Sequence, residues 1–526
     1  MQPDLTMRNG ESVPAHLVPV LDFESLRTFL VGEVRGGGRL AALFGLPGLP
    51  GAGGAVRVLA VVARDGAGIL RPVVSEVGDR YPALTPDIPQ AHLFERELSE
   101  QFGVIPVGHP RLKPVRYHTP GTFNPAAPAA PRPLPADTDF FRVEGDEVHE
   151  VAVGPIHAGV IEPGHFRFQC HGETVFHLEI ALGFQHRGIE AALEGGLVGP
   201  LAAGGQGFGR IPHFIATAAG DTTIGHTLAW CRIMESLSGT TVPERAGLFR
   251  LIALELERLA NHTGDLGALA GDVAYLPTMS FCGRLRGDFL NMTALLCGNR
   301  FGRGLVVPGG VAFDADAARL AELRGRFEST FRDVEGAADL LFETPSVRAR
   351  FEHTGEISRD TATALGLVGP AARACGIARD VRVDHPFGAY RRLAARAASW
   401  PSGDVYARAF VRRQEIRESA RLIRAAIDAL VALDALPQGD IRQGEPDSWP
   451  RPLAPESLAV SLVEGWRGEI CHVALTDAQG GVVRYKMIDP SFHNWEGLAM
   501  ALRGRAISDF PLCNKSFNLS YCGHDL

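Results

Sequence analysis

Apolar and polar positions alternate over residues 165–168 and again over 174–179, the period of two expected of half-buried strands. His171-Gly172-Glu173 separates the two runs and predicts a turn. Residues 182–188 then lead toward a helix, so the stretch reads as a strand pair delivering a histidine-rich loop. Two further β-rich runs, 56–65 and 69–77, flank Gly66-Ala67-Gly68 and predict a hairpin, with a short amphipathic helix over 23–34 before it. From Thr227 onward the spacing of Leu228, Cys231, Met234, Glu235 and Leu237 predicts a helix. Thr241-Val242-Pro243-Glu244 then carries the signals of a second helix start: a Thr cap, a Pro in the first turn and a Glu placed for a capping box. That helix is expected over 245–262, with Leu248, Leu251, Leu254 and Leu259 in the core, and another over 404–430. Strands are expected at 469–477 and 482–488 across Gly480-Gly481, followed by a helix around 497–505. Runs of helices with strands at both ends predict an α+β fold built around a helix bundle.

Length and composition divide this pattern. A chain of 526 residues exceeds one ordinary domain. Residues 119–139 carry six prolines and many alanines, a composition that behaves as an extended spacer. The expected organisation is a small α+β domain at 1–118, a linker at 119–147 and a large domain at 148–526. Hydrophobic residues make up 45% and charged residues 21%, with a net charge of −8, which excludes a general nucleic-acid binder. No apolar run approaches the roughly 18 to 20 residues needed to cross a bilayer, and 1–16 lacks the pattern of a signal peptide. A cytoplasmic chain that meets a membrane only through partners is expected. The eight cysteines form no CxxC pair, so neither a disulfide scaffold nor a zinc or iron–sulfur site built wholly from this chain is expected. The glycine-rich 195–209 lacks both phosphate-loop and dinucleotide fingerprints. Arg245, Arg250, Glu255, Glu257, Arg258 and His262 fit either a buried charge network or solvated helix faces.

Several ordered motifs carry a resemblance. Gly154-Pro155-Ile156-His157, then Glu162 with Gly164-His165-Phe166-Arg167-Phe168, then Gly183-Phe184-Gln185-His186-Arg187-Gly188-Ile189-Glu190, resemble the opening of the large subunit shared by complex I and membrane-bound, energy-converting nickel–iron hydrogenases of the formate hydrogenlyase type. Residues 243–262, 289–310 and 354–376 agree with it. Residues 93–103, followed by Gly108-His109-Pro110-Arg111-Leu112, resemble the signature of complex I's smaller hydrophilic subunit, so the chain resembles a fusion of the two. In that family the smaller subunit's segment docks onto the large one.

The resemblance implies which chemistry to look for. Hydrogenases of this family hold nickel and iron with two cysteine pairs, and the matching positions here are Ala219 and Thr222 in the first loop and Ser520 and Gly523 in the second. Soft thiolates suit such a centre, whereas alkyl groups and neutral hydroxyls do not, so no metal site and no hydrogen activation are expected. A different metal on Cys513, Cys522, His524 and His226 is an alternative. In complex I the same cavity receives a quinone between a His and a Tyr. The Tyr position falls on Gly220 and the His position near Glu162, with His165 close by, so quinone is a candidate ligand without its usual pair. The resemblance makes His226, Asp221, Glu162 and His165 candidate proton-active groups, and Gly220, Arg245, His186 and Arg187 candidate cavity lining; ordinary hydrogen-bonded buried residues are the alternative for each. It implies an oxidoreductase subunit packed against a small iron–sulfur subunit carrying a 4Fe-4S cluster, with a ferredoxin-like iron–sulfur subunit and membrane-embedded antiporter-like subunits in the assembly. Any NAD binding would belong to the complex rather than to this chain. An acceptor-reducing catalytic subunit and a non-catalytic assembly scaffold are the rival functions.

Overall fold

The structure, a computed structural model, describes residues 5–50, 55–119, 121–123, 131–134, 139–157, 161–194, 211–434 and 451–526. Most of the 119–139 spacer and all of the glycine-rich 195–209 lie outside them.

The fold is mixed α+β. Near the start, the Phe23–Arg35 helix packs on a four-stranded sheet ordered Val20–Leu21, Ile69–Val77, Val56–Arg64, Arg39–Pro50. Val56–Arg64 and Ile69–Val77 form the expected hairpin, turning at Asp65–Ala67 with Gly68 left-handed. His165–His171 and Thr174–Ala181 pair as expected, with Val148–Val153 added on the outer edge. Phe166 and Phe168 face the core from one side of this sheet, while His165 and Arg167 occupy the other.

Four long helices, Glu244–Asp272, Leu276–Cys297, Ala317–Glu343 and Val405–Asp434, make the bundle. Glu244–Asp272 differs from expectation at both ends: Pro243 caps it without a side-chain bond from Thr241, and it runs on past His262. The extension is possible because glycines face the next helix; a Cβ at Gly267 would sit 2.7 Å from the Cβ of Cys282. Against the bundle lies an antiparallel sheet ordered Ser12–Pro14, Ser457–Gly465, Gly468–Thr476, Val482–Ile488. Every residue of Ser457–Gly465 and Gly468–Thr476 is buried, and the Thr223–Ser238 helix crosses them. Asp489 caps the following helix, Pro490–Ala501, by accepting from Ser491 N at 2.8 Å. This helix starts earlier than the expected 497–505, because the Asp-Pro-Ser sequence is itself a start signal.

Buried ions join these parts. Most charged residues of the Glu244–Asp272 helix are buried rather than solvated, with Glu244 at its exposed start an exception. Glu255 meets Arg258 at 3.1 Å and Arg382 at 3.1 Å, and His262 meets Glu415 at 2.8 Å. Arg258 donates to the carbonyls of Glu464 and Gly465, tying the bundle to the sheet. The His92–Phe102 helix, acidic in sequence, is also buried along most of its length. Glu95 accepts from Leu84 N and Thr85 N at 2.8 Å each, and Glu100 accepts from Val115 N and Arg116 N. Glu97 binds Arg116 and takes both oxygens to Lys486 Nζ at 2.7 Å, across 389 residues of chain. Among the described residues no helix is long and apolar enough to cross a membrane.

Lys486, Arg116 and Glu97 are all essentially excluded from water, so removing Glu97 leaves two buried cations to share the single carboxylate of Glu190, at 3.0 and 3.8 Å. Glu97→Ala is expected to cost about 3–5 kcal/mol in denaturant unfolding; a loss below about 1 kcal/mol, the value of a surface pair, would show that this contact does not hold the parts together.

Candidate functional site

Two loops converge beside the sheet: 217–223, leading into the Thr223–Ser238 helix, and 518–525, ending in the short Tyr521–Asp525 helix. Arg467, at the tight turn between Ser457–Gly465 and Gly468–Thr476, connects them. Its Nη atoms meet the Asp221 carboxylate at 2.5 and 2.7 Å, and its Nε donates to Asn518 O. The guanidinium stacks 3.9 Å from the Trp466 ring, whose Nε1 donates to Asp221 O and Thr222 Oγ1 at 3.1 Å each. Burial pushes the Asp221 carboxyl up, but Arg467 outweighs it and holds the group below its ordinary value. Asp221 keeps a side chain 33% exposed, so it stands at the open edge of the site.

Arg187 makes the second connection. It donates to Thr217 O at 2.7 Å and Ala218 O at 2.9 Å in the first loop, and to Cys522 O at 3.3 Å in the second. His186 Nδ1 lies 2.8 Å from Asp525 O, and Glu162 accepts from Cys522 N at 3.3 Å. Gly220 is exposed, with no atom within 4 Å of where a Cβ would stand.

Of the sequence candidates, Asp221, Gly220, Glu162, His186 and Arg187 are therefore gathered around the two loops, and His226 lies just behind them. His165 is directed elsewhere: its ring packs on Phe140 at 5.1 Å, with Nδ1 3.3 Å from Gly154 O, and burial lowers its pKa. Arg245 is at the start of its helix, bound to Asp314 and Ala315 O.

The four positions matched to thiolates do not suit nickel and iron. Ala219 offers no donor. Thr222 Oγ1 is committed to Trp466 and Arg467, and Ser520 Oγ caps the last helix by accepting from Gly523 N at 2.9 Å. A Cβ at Gly523 would sit 2.7 Å from the Asp489 carboxyl carbon, so even the stem of a cysteine is excluded there. Cys522 is the nearest thiol, and burial with the nearby Glu162 pushes it up to about 11, away from the thiolate a metal requires. The alternative set does not gather either: Cys513 abuts Gly355 and Arg408, whereas His226 bonds His472 and Asp489. Among the described residues only His353, Glu356 and Asp404 bring metal-ligating atoms within 4.8 Å of one another, far in sequence from this set and partly exposed.

Behind the loops runs a buried chain of titratable groups. Tyr485 Oη is 2.8 Å from His472 Nδ1, His472 Nε2 is 3.1 Å from His226 Nδ1, and His226 Nε2 is 3.0 Å from Asp489 Oδ2. All four are buried at 1% exposure or less. With both imidazoles neutral and Asp489 ionised, only one set of directions satisfies every contact: Tyr485 donates to His472, His472 to His226, and His226 to Asp489. Burial pushes the His472 pKa well down, and His226 adds to that, so the pair holds at most one charge. Burial raises the Asp489 carboxyl, but its bond to His226 and the nearby Arg467 leave it lowered. Tyr485, His472, Asp489 and Arg467 were missed by reasoning from sequence. The usable signals were faint: a His inside the mostly apolar run Gly468–Thr476, and an Arg between Trp466 and Gly468 at a two-residue turn.

The chain is similar to several known proteins. Residues 272–525 match the family described as respiratory-chain NADH dehydrogenase, 49 Kd subunit. Formate hydrogenlyase subunit 5 of Escherichia coli (strain K12) is 29% identical over 456 residues, covering 84% of this chain and 76% of that protein. The carbon monoxide-induced hydrogenase of Rhodospirillum rubrum is 30% identical over 371 residues, 70% of this chain and 97% of that protein. A chain of the membrane-bound sulfane sulfur reductase, an archaeal respiratory membrane complex, superimposes with a TM-score of 0.64 at 23% identity, over 72% of this chain and 99% of that one, and shows the shared fold. With matches of this extent, the chain belongs to the family that unites the 49 Kd subunit of respiratory NADH dehydrogenase with the large subunits of membrane-bound hydrogenases.

Proposed function

We propose that this chain is a subunit of a membrane-associated electron-transfer complex of the hydrogenase-like or NADH:quinone oxidoreductase-like kind, holding a modified cavity beside a partner's 4Fe-4S cluster without a nickel–iron site. Its task is to couple the arrival of an electron to uptake of a proton. The observation that carries this reading is the buried line Tyr485–His472–His226–Asp489, set directly behind loops whose thiolate positions hold groups unsuited to the metals.

Negative charge arriving nearby favours a proton on an imidazole. When His226 takes one, both of its nitrogens become donors, so His472 must accept at Nε2 and donate from Nδ1 toward Tyr485. One added proton thus reverses the bonds as far as Tyr485 with no change in heavy-atom positions. Asp489 remains the anionic end and balances the imidazolium. Asp221 and Glu162 stand at the open edge, where they exchange protons with whatever enters beside Gly220; Arg187 and His186 hold the loops in place. His165, on the outer strand face, and Arg245, at its helix start, take supporting roles outside this line.

The proposed partners are a small iron–sulfur subunit, a ferredoxin-like iron–sulfur subunit and membrane-embedded antiporter-like subunits, placing the chain at the cytoplasmic side of the inner membrane. The open space at Gly220 favours a second reading, in which a quinone or another small acceptor is reduced there.

Glu257 supplies a further proton store. It accepts from Ile224 N at 2.7 Å and Gly225 N at 3.2 Å, at the start of the helix that carries His226. Burial nevertheless raises its carboxyl to about 8.

Three outcomes test these statements. The purified complex should contain only substoichiometric nickel attributable to this chain and show no hydrogen-dependent dye reduction; stoichiometric nickel would overturn the reading. His226→Gln should lower reduction of quinone or other acceptors by about 100-fold, the scale of lost acid–base catalysis, in a complex that still assembles. Unchanged turnover would favour a scaffold. For Glu257, the folded protein binds an extra proton between the unfolded carboxyl's pKa near 4.5 and about 8, so this group's stabilisation is complete below that window and is lost as pH rises through it. Glu257→Gln should therefore gain stability relative to the parent between pH 5 and pH 8, by at most about 1.4 kcal/mol per unit; a pH-independent difference in chemical unfolding would refute the raised pKa.

A further inference from the structure

The helix that carries His226 carries a second feature two turns farther on. Leu228, Arg232, Glu235, Ser236 and Gly239 share one of its faces and line a cavity of about 330 Å³, closed by the first turns of the Glu244–Asp272 helix, by 387–391 and by Gly10. That volume lies at the lower end of small-molecule sites, which are mostly apolar with a few convergent polar groups. Here the apolar part comes from Leu228, Val242, Leu251 and Phe387.

The charge in this cavity is out of balance. Arg232 donates to Asn9 Oδ1 at 3.2 Å, Ser461 Oγ at 3.1 Å, Leu462 O at 2.8 Å and Asn9 O at 3.1 Å. These acceptors are all neutral, so they fix the guanidinium without neutralising it. It lies 4.8 Å from the Phe387 ring centre. Gly10 is left-handed, with φ +83°, and a Cβ there would fall 2.3 Å from Arg232 Nη2, so the backbone leaves room for this arginine. Glu235, the one carboxylate lining the cavity, is already bound to Arg250 at 2.5 and 3.2 Å and to Gly309 N at 2.8 Å. Among the described residues, the Arg391 side chain at the rim bonds only Pro386 O, at 3.2 Å. Three guanidiniums therefore face one committed carboxylate. Burial lowers the Arg232 pKa most, Glu235 opposes it, and Arg391 and Arg250 add to the lowering. Because a guanidinium keeps its proton, the strain falls on an uncompensated cation that an entering anion would relieve.

We propose that this cavity binds a small organic anion, a single carboxylate- or phosphate-type head on an apolar body, with the head on Arg232 and Arg391 and the body against Phe387, Leu228 and Leu251. Arginine's planar fork suits either head group. The site is separate from the two loops and from the Tyr485–Asp489 line, and it does not depend on how those act.

Titration calorimetry on the complex containing the full chain, with phenyl phosphate as probe, tests the assignment. Saturable one-to-one binding is expected, with inorganic phosphate and phenol each weaker by about tenfold or more, since each lacks one of the two contributions. Arg232→Gln should abolish binding. Because Arg232 also supports Asn9 and the sheet, Gly247→Leu is the second variant: nothing lies within 4 Å of its Cβ position, its backbone is helical, and the new side chain fills the cavity. Loss of binding in Gly247→Leu with unchanged thermal unfolding supports the site. Absence of saturable phenyl phosphate binding, equal affinity for phenol, or undiminished binding in Gly247→Leu would overturn it.

Discussion

The site depends on one guanidinium. Arg467 reaches Asp221 in one loop and Asn518 in the other while lying flat on Trp466, so segments from opposite ends of the large region are fixed to a single planar group. A bidentate arginine–carboxylate pair is directional as well as strong, and here its position is set by a turn between two wholly buried strands. Without that turn, neither the register of the first loop nor the place of Asp489 behind it would be defined. Arg187 repeats the device from the far side with three carbonyl acceptors.

The same device recurs through the fold. Arg258, Arg373, Arg382, Arg412 and Arg116 are each buried and spend their donors on carboxylates or carbonyls from distant parts of the chain. Such pairs add little net stability over apolar packing, because taking ions out of water costs about as much as their attraction returns. What they do supply is uniqueness: an ion left unpaired by a shifted helix or a slipped strand is far more costly than a misplaced leucine. That matters here because the groups around and behind the two loops arrive from residues 162, 187, 221, 226, 467, 472 and 489.

Local pattern was enough to recover the local elements. The 56–77 hairpin and the 165–181 strand pair announce themselves because short β-rich runs flank specific turn residues. Ser457–Gly465 escaped notice because burial of both faces removes the alternation a strand otherwise shows, and because Trp466-Arg467 gives no turn signal of the kind that Gly480-Gly481 gave the equally buried Gly468–Thr476. The acidic His92–Phe102 helix reads as solvated from composition alone, and only its ordered resemblance to a docking segment pointed inward. At the site, the loop residues were found through motif matches. Arg467, His472 and Asp489 were not, since 246 residues separate Asp221 from Arg467 and 263 separate His226 from Asp489, and no periodicity or spacing rule spans such a distance.

A metal bound by two cysteine pairs would itself cross-link the two loops, so a chain without those thiolates must hold them by other means. Here the link is made by polar contacts. Arg467 and Arg187 bridge the loops, Ser520 turns from a candidate ligand into a helix cap, and the absent side chain at Gly523 lets Asp489 approach. A hydrogen bond to a charged group contributes about 1.5–3 kcal/mol, so a handful of them matches the demand of positioning two short loops without matching the strength of metal–sulfur bonds. The exchange also changes the chemistry. Thiolates around a metal store electrons, whereas carboxylates, imidazoles and a phenol linked in one buried line store protons. Under the proposed coupling of electron arrival to proton uptake, the direction of the Tyr485–His472–His226–Asp489 bonds would record whether charge has arrived from outside.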